Sequence, residues 1–178
     1  MKTKCILLAA TLVAAASAFA ASPATSTARV NVIFDHPEKF TDVKDSYMGT
    51  DRGRDNILAL IKEYIEQRAP RYLPEGQSLS VTFTDIDLAG DFEPQRGPNM
   101  SDVRVIKDIY PPRLHFTYKL VDASGVVLKE GQEKLVELGF QMTASPLDSH
   151  DSLHYEKGML DKWLHEQFAH PKKSAAIH

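Results

Sequence analysis

The apolar positions of this chain change period several times, and each change marks an element. Val30, Val32 and Phe34 recur at every second residue, which predicts a short strand. The stretch 35–42 holds Pro37 and reads as a loop, because proline has no N–H to give a central strand. Ile57, Leu60, Ile61, Tyr64 and Ile65 then recur at helical spacing, with Leu58 widening the stripe. Asp51 or Asp55 could cap this helix, Arg68 suits its end, and Pro70 with Pro74-Glu75-Gly76 stops it. Leu79, Val81 and Phe83 return to strict alternation. The apolar phase slips at Ile86 and Leu88, as a bulge near Thr84-Asp85 or a twist between two buried faces would make it.

Residues Gly90 to Met100 carry two glycines and two prolines and are predicted as a loop. Val103, Val105 and Ile109 predict a short strand ending at Pro111-Pro112. Leu114, Phe116, Tyr118 and Leu120 alternate with His115, Thr117 and Lys119 in another. Asp122 to Gly125 is a turn, and Val126 to about Leu138 pairs back as a hairpin whose polar middle suits a sheet with one wet face. A loop around Pro146 spans 143–152. Leu160, Trp163, Leu164 and Phe168, joined by Met159 and by Leu153 or Tyr155, predict a final helix from about Ser152 to Ala169, its stripe packed on the core. Pro171 ends it, and 171–178 reads as a frayed tail. The predicted class is α+β: a mainly antiparallel sheet with two helices on one face, in the order β-α-β-β-β-β-α, forming a single domain over 30–170.

The start of the chain changes the picture from fold to address. Lys2 and Lys4 precede an apolar run, Cys5 to Ala16, and small residues follow at Ala18 and Ala20. This predicts a signal peptide over 1–20 with cleavage near Ala20, a flexible segment 21–29, and a periplasmic or secreted protein. The run is too short for a spanning helix, which needs about 20 residues, and no later segment approaches that length. Cys5 is the only cysteine and stands at the start of the run rather than after it, so neither lipidation nor a disulfide is expected. Losing Lys2 and Lys4 takes Lys+Arg from 21 to 19 against 24 acidic residues, moving the formal charge from −3 to −5. An acidic domain is a poor binder of nucleic acid or anionic membranes, which need a basic face.

The segments Phe34 to Asp42 (FDHPEKFTD), Asp85 to Pro94 (DIDLAGDFEP), Asp102 to Arg113 (DVRVIKDIYPPR) and Tyr155 to Trp163 (YEKGMLDKW) together give a resemblance. The chain resembles a family of exported proteobacterial proteins catalogued only as a domain of unknown function. LAGDFEP and DIYPPR are the most specific parts. The resemblance implies export and a single domain, and it carries no activity and no catalytic residue.

Candidate chemistry concentrates between residues 85 and 113. Asp85, Asp87, Asp91 and Glu93 lie near Arg96, Arg104 and Arg113, with Phe92 and Tyr110 among them. Two readings stand side by side: a binding rim, for which aromatic and arginine side chains are the natural contacts, and an ion-pair network that orders the loop. A calcium loop starting at Asp85 fails at Ala89 and Arg96, where ligands are needed. His150 and His154, with Asp148 and Asp151, have a spacing that suits zinc but lack the glutamate of a zinc hydrolase helix. No serine sits in a nucleophile elbow and no glycine loop cradles phosphate. Neither a metal nor a cofactor is therefore predicted. The function expected is a non-catalytic binding or accessory role in the cell envelope, toward an unidentified protein or small ligand, with a carboxylate- or metal-dependent hydrolase as the alternative. Nothing in the sequence sets the oligomeric state.

Overall fold

The computed structural model describes residues 29–97, 101–143 and 151–169. The leader, the segment 21–28, most of the Pro146 loop, Asp148, His150 and the tail lie outside the described residues. Among the described residues six strands form: β1 (Val30–Phe34), β2 (Ser78–Asp87), β3 (Asp91–Phe92), β4 (Arg104–Val105), β5 (Arg113–Val121) and β6 (Val127–Val136). Three helices accompany them: α1 (Asp51–Arg68), α2 (Phe140–Thr143) and α3 (His154–Leu164). The main sheet has the order β1-β2-β5-β6, and β3 and β4 make a separate two-stranded ladder. β1 runs parallel to β2, as the intervening helix requires, and the other pairs are antiparallel.

Alternation decides which face of the sheet is covered. Leu79, Val81 and Phe83 of β2 and Leu114, Phe116, Tyr118 and Leu120 of β5 are buried in one core with Leu58, Ile61 and Ile65 of α1 and Met159, Leu160, Trp163 and Leu164 of α3. Phe83, Phe116 and Trp163 form a chain of ring contacts, with centroids 5.2 and 4.7 Å apart. The opposite face carries Ser80, Thr82, Thr117, Lys119, Glu130 and Gln132, which line a shallow cleft. The two-helix α+β sandwich read from the periodicity is the observed architecture, with the short α2 added.

The slip in β2 is a bulge. Phe83 pairs with Phe116 and Asp85 with His115, so Thr84 has no opposite number. The extra residue restores Ile86 to the buried face. Helix α1 is capped by Thr50, whose hydroxyl accepts from the Gly53 N–H at 2.9 Å, rather than by Asp51 or Asp55. Helix α3 begins at His154 and passes into a wider turn, His165–Ala169, so the predicted start at Ser152 is two residues early. The predicted strand at 103–109 shrinks to Arg104–Val105, and its partner, Asp91–Phe92, lies in the expected loop. A short 3-10 turn, Pro94–Arg96, follows it. Neither segment has the apolar alternation that marks a strand, because the ladder is held by polar contacts.

Candidate functional site

The described residues 88–97 and 101–112 form a strap across the end of the sheet where β2 finishes and β5 begins. Arg104 is its hub. Its guanidinium donates to Asp42 Oδ2 at 2.7 Å, to the Gly90 carbonyl at 2.9 Å and to the Lys44 carbonyl at 3.1 Å. Its carbon lies 4.6 Å from the centre of the Phe92 ring, so the same side chain adds a cation–π contact. Phe92 is itself buried. Gly90 makes this packing feasible. Its φ is +79°, and a Cβ there would stand 2.6 Å from Ile106 Cδ1 and 2.7 Å from the Val105 carbonyl oxygen.

The other charged groups are paired as well. Glu93, 5% exposed, accepts from Lys107 Nζ and, at 3.1 Å, from the Tyr110 hydroxyl. That hydrogen bond to Glu93, with some burial, holds the Tyr110 hydroxyl above its ordinary range. Asp87 accepts from Arg113 at 2.6 Å. Burial pushes its carboxyl above the usual range, against the pull of Arg113. Asp85 accepts from the Thr41 N–H at 2.7 Å and from the Thr41 hydroxyl at 2.9 Å, which ties the loop before α1 to the end of β2. Asp91 closes on its own neighbour, accepting from the Phe92 N–H. The structure therefore brings Asp87, Phe92, Glu93, Arg104, Tyr110 and Arg113 into the strap and its footing. It assigns no environment to the Arg96 side chain. Among the described residues, no group of three or more His, Cys, Asp or Glu side chains has the geometry to hold a metal.

Three participants are absent from the sequence-based set: Asp42, Lys107 and Glu156. Glu156 of α3 is 1% exposed, and its Oε1 accepts from the Ala89 N–H at 2.7 Å. Oε2 has no hydrogen-bond partner among the described residues, nor has Asp42 Oδ1. Burial raises the Glu156 carboxyl, opposed by the Ala89 N–H and, at longer range, by Arg104 and His154. A signal for it exists. Glu156 lies three residues after Leu153 and four before Leu160, on the apolar stripe itself. Asp42 and Lys107 carry no such periodic mark.

With Glu93 buried and Arg104 half-buried, the strap presents apolar side chains outward. Ile109 is 70% exposed, Val103 and Ile106 are also exposed, and Met48 on the adjoining loop is 84% exposed. The Tyr47 N–H donates to Asp102 Oδ1, which fastens that loop to the strap.

Residues 28–166 match the family described as "Protein of unknown function (DUF3016)". The chain belongs to that family. The match spans the whole β1-to-α3 body and includes every residue of the strap, so this site is a part of the family's domain rather than an appendage to it. No curated protein and no solved structure matches the chain.

Proposed function

We propose that this DUF3016 chain is an exported, non-catalytic binding or accessory protein of the cell envelope. Its contact surface is the rim built by residues 85–113. One observation carries the reading: Asp87, Glu93, Arg104, Lys107 and Arg113 are engaged in fixing the strap, while Met48, Val103, Ile106 and Ile109 stand unburied on its outer side. A rigid, internally satisfied loop with exposed apolar side chains is suited to docking, since little ordering entropy is lost on contact. Tyr110 and Asp91, both half-buried, lie at the border of this surface. The leader-like first twenty residues support export. A hydrolase using the same carboxylates would first have to free Glu93 from Lys107 and Asp87 from Arg113.

The test has two parts. Cell fractionation with N-terminal sequencing should find the protein in the periplasm or medium, beginning near Ala21; an intact cytoplasmic chain would overturn export. Affinity capture from a cross-linked envelope extract should then yield a partner with the wild type that Met48→Asp and Ile109→Asp fail to hold, both variants unfolding at the wild-type midpoint. Equal capture by the variants would overturn the rim assignment, and capture of nothing by the wild type would overturn the accessory-protein reading.

A further inference from the structure

The apolar rim is wider than the strap. Two contacts bring α2 beside it: the Gln141 side-chain amide donates to Asp108 Oδ1 at 2.8 Å, and the Glu137 N–H donates to the Pro112 carbonyl. Phe140, 1% exposed, packs its ring on Tyr155 of α3 with centroids 4.7 Å apart, which anchors α2. Leu138 before that ring and Met142 after it are left exposed. They join Met48, Val103, Ile106 and Ile109 at the end of the sheet where β2 finishes. Exposed apolar side chains gathered on fastened segments mark an interaction surface. Two of these six are methionines, whose unbranched, polarizable side chains adapt to a partner's contour.

The charges around these side chains fall into two sets. The bases are taken up by acids of the same fold: Arg104 by Asp42, Lys107 by Glu93 and Arg113 by Asp87, while Lys44 Nζ lies 4.0 Å from Asp42 Oδ1. Asp45, Asp102 and Asp108 are different. All three are exposed, and among the described residues none has a basic partner. Their hydrogen bonds come from neutral groups: the Ser46 and Thr50 hydroxyls, the Tyr47 N–H and the Gln141 amide. Each lies beside an apolar member of the rim, Asp102 next to Val103, Asp108 next to Ile109, and Asp45 on the loop that carries Met48.

The surface is therefore apolar and negative together, and this decides its occupant. A second copy seated face to face would set these carboxylates against their own kind, and anionic lipid would be repelled by them. A segment that carries Lys or Arg beside apolar side chains matches both properties. Resting on the docking role proposed above, we infer that the partner of this rim is a cationic amphipathic segment of another protein, its apolar side chains covering Met48, Ile109 and Met142 and its bases meeting Asp45, Asp102 and Asp108.

The probe is a fluorescein-labelled peptide of about 14 residues, leucine and lysine in an amphipathic helical pattern, with its leucine–glutamate counterpart as comparison. Fluorescence anisotropy with the full chain should show binding of the lysine peptide and none of the glutamate peptide, weakening as salt is raised. Asp45→Asn, Asp102→Asn and Asp108→Asn together keep an oxygen for each donor and should weaken binding roughly tenfold. Glu63→Gln, Glu75→Gln and Glu130→Gln together change the net charge equally elsewhere on the surface and should leave binding within about twofold. Met48→Ser with Ile109→Ser should weaken it by roughly tenfold or more. Equal binding of the two peptides, or equal loss in the two charge triples, would overturn the cationic partner and leave the docking rim standing, because capture with Met48→Asp and Ile109→Asp tests the rim itself. No binding of the lysine peptide, unchanged binding by the serine variant, or a dimer in sedimentation that Ile109→Ser dissolves would overturn the inference as well.

Discussion

At the scale of single residues, Arg104 is where the polar part of the molecule is concentrated. It satisfies Asp42, a carboxylate only 7% exposed, and the backbone carbonyls of Gly90 and Lys44. Removing one partner of a buried ion pair costs far more than the pair itself contributes, because the other charge stays desolvated. Arg104→Met keeps the contact with Phe92 but abandons Asp42, and should lower unfolding free energy by about 3 kcal/mol in denaturant titrations. Glu156 obeys the opposite sign. Its folded carboxyl is raised above the ordinary 4.5, so the stability linked to it is full below that value and is lost as pH rises toward and through the folded value. Glu156→Gln keeps an oxygen for the Ala89 N–H and removes the titration. From about pH 4.5 upward the wild type should lose stability relative to Glu156→Gln, read from midpoints between about pH 4 and pH 8. A constant difference across that range would show that Glu156 is not the titrating group.

At the scale of elements, the strap and the helices are held by different means, and this governs what the sequence discloses. β1, α1, β2, β5 and α3 each bury one face, so a period of two or near four is imposed on their apolar residues and can be read directly. Even the bulge in β2 is written in that code, as a slip of phase. The β3–β4 ladder answers to Arg104, Gly90 and Phe92, contacts between residues far apart in sequence with no period to betray them. Lys107 and Asp42 are hidden for the same reason, whereas the charged residues of 85–113 stand out by their density alone. The two helices are tied by a further long-range pair: Asp161 of α3 accepts from Arg68 and, at 2.8 Å, from the Tyr72 hydroxyl, and is lowered by both. Gly90 tests how the strap is held. Gly90→Ala forces an unfavourable backbone region and a clash with Ile106 and the Val105 carbonyl, costing about 2 kcal/mol. Because the damage is local, limited proteolysis should cut within 88–112 faster than in the wild type, while the far end of the sheet resists as before.

At the scale of the whole molecule, one apolar core links sheet and helices, and the strap is a polar closure at one end of it. The bulge in β2 carries a consequence of another kind. Thr84 is an insertion that the ladder has skipped, and every other residue of β2 already stands on the face that an uninterrupted strand would give it. Deleting Thr84 should therefore produce a shorter, regular strand with Leu79, Val81, Phe83 and Ile86 still inward, and a folded protein by circular dichroism. Deleting Thr82, two positions earlier, should not: it shifts the frame so that Phe83 is turned out and the chain loses the ring at the centre of its core. Along this strand, side chains are read in frames of two, and Thr84 is the one letter that can be removed without changing the meaning of the rest.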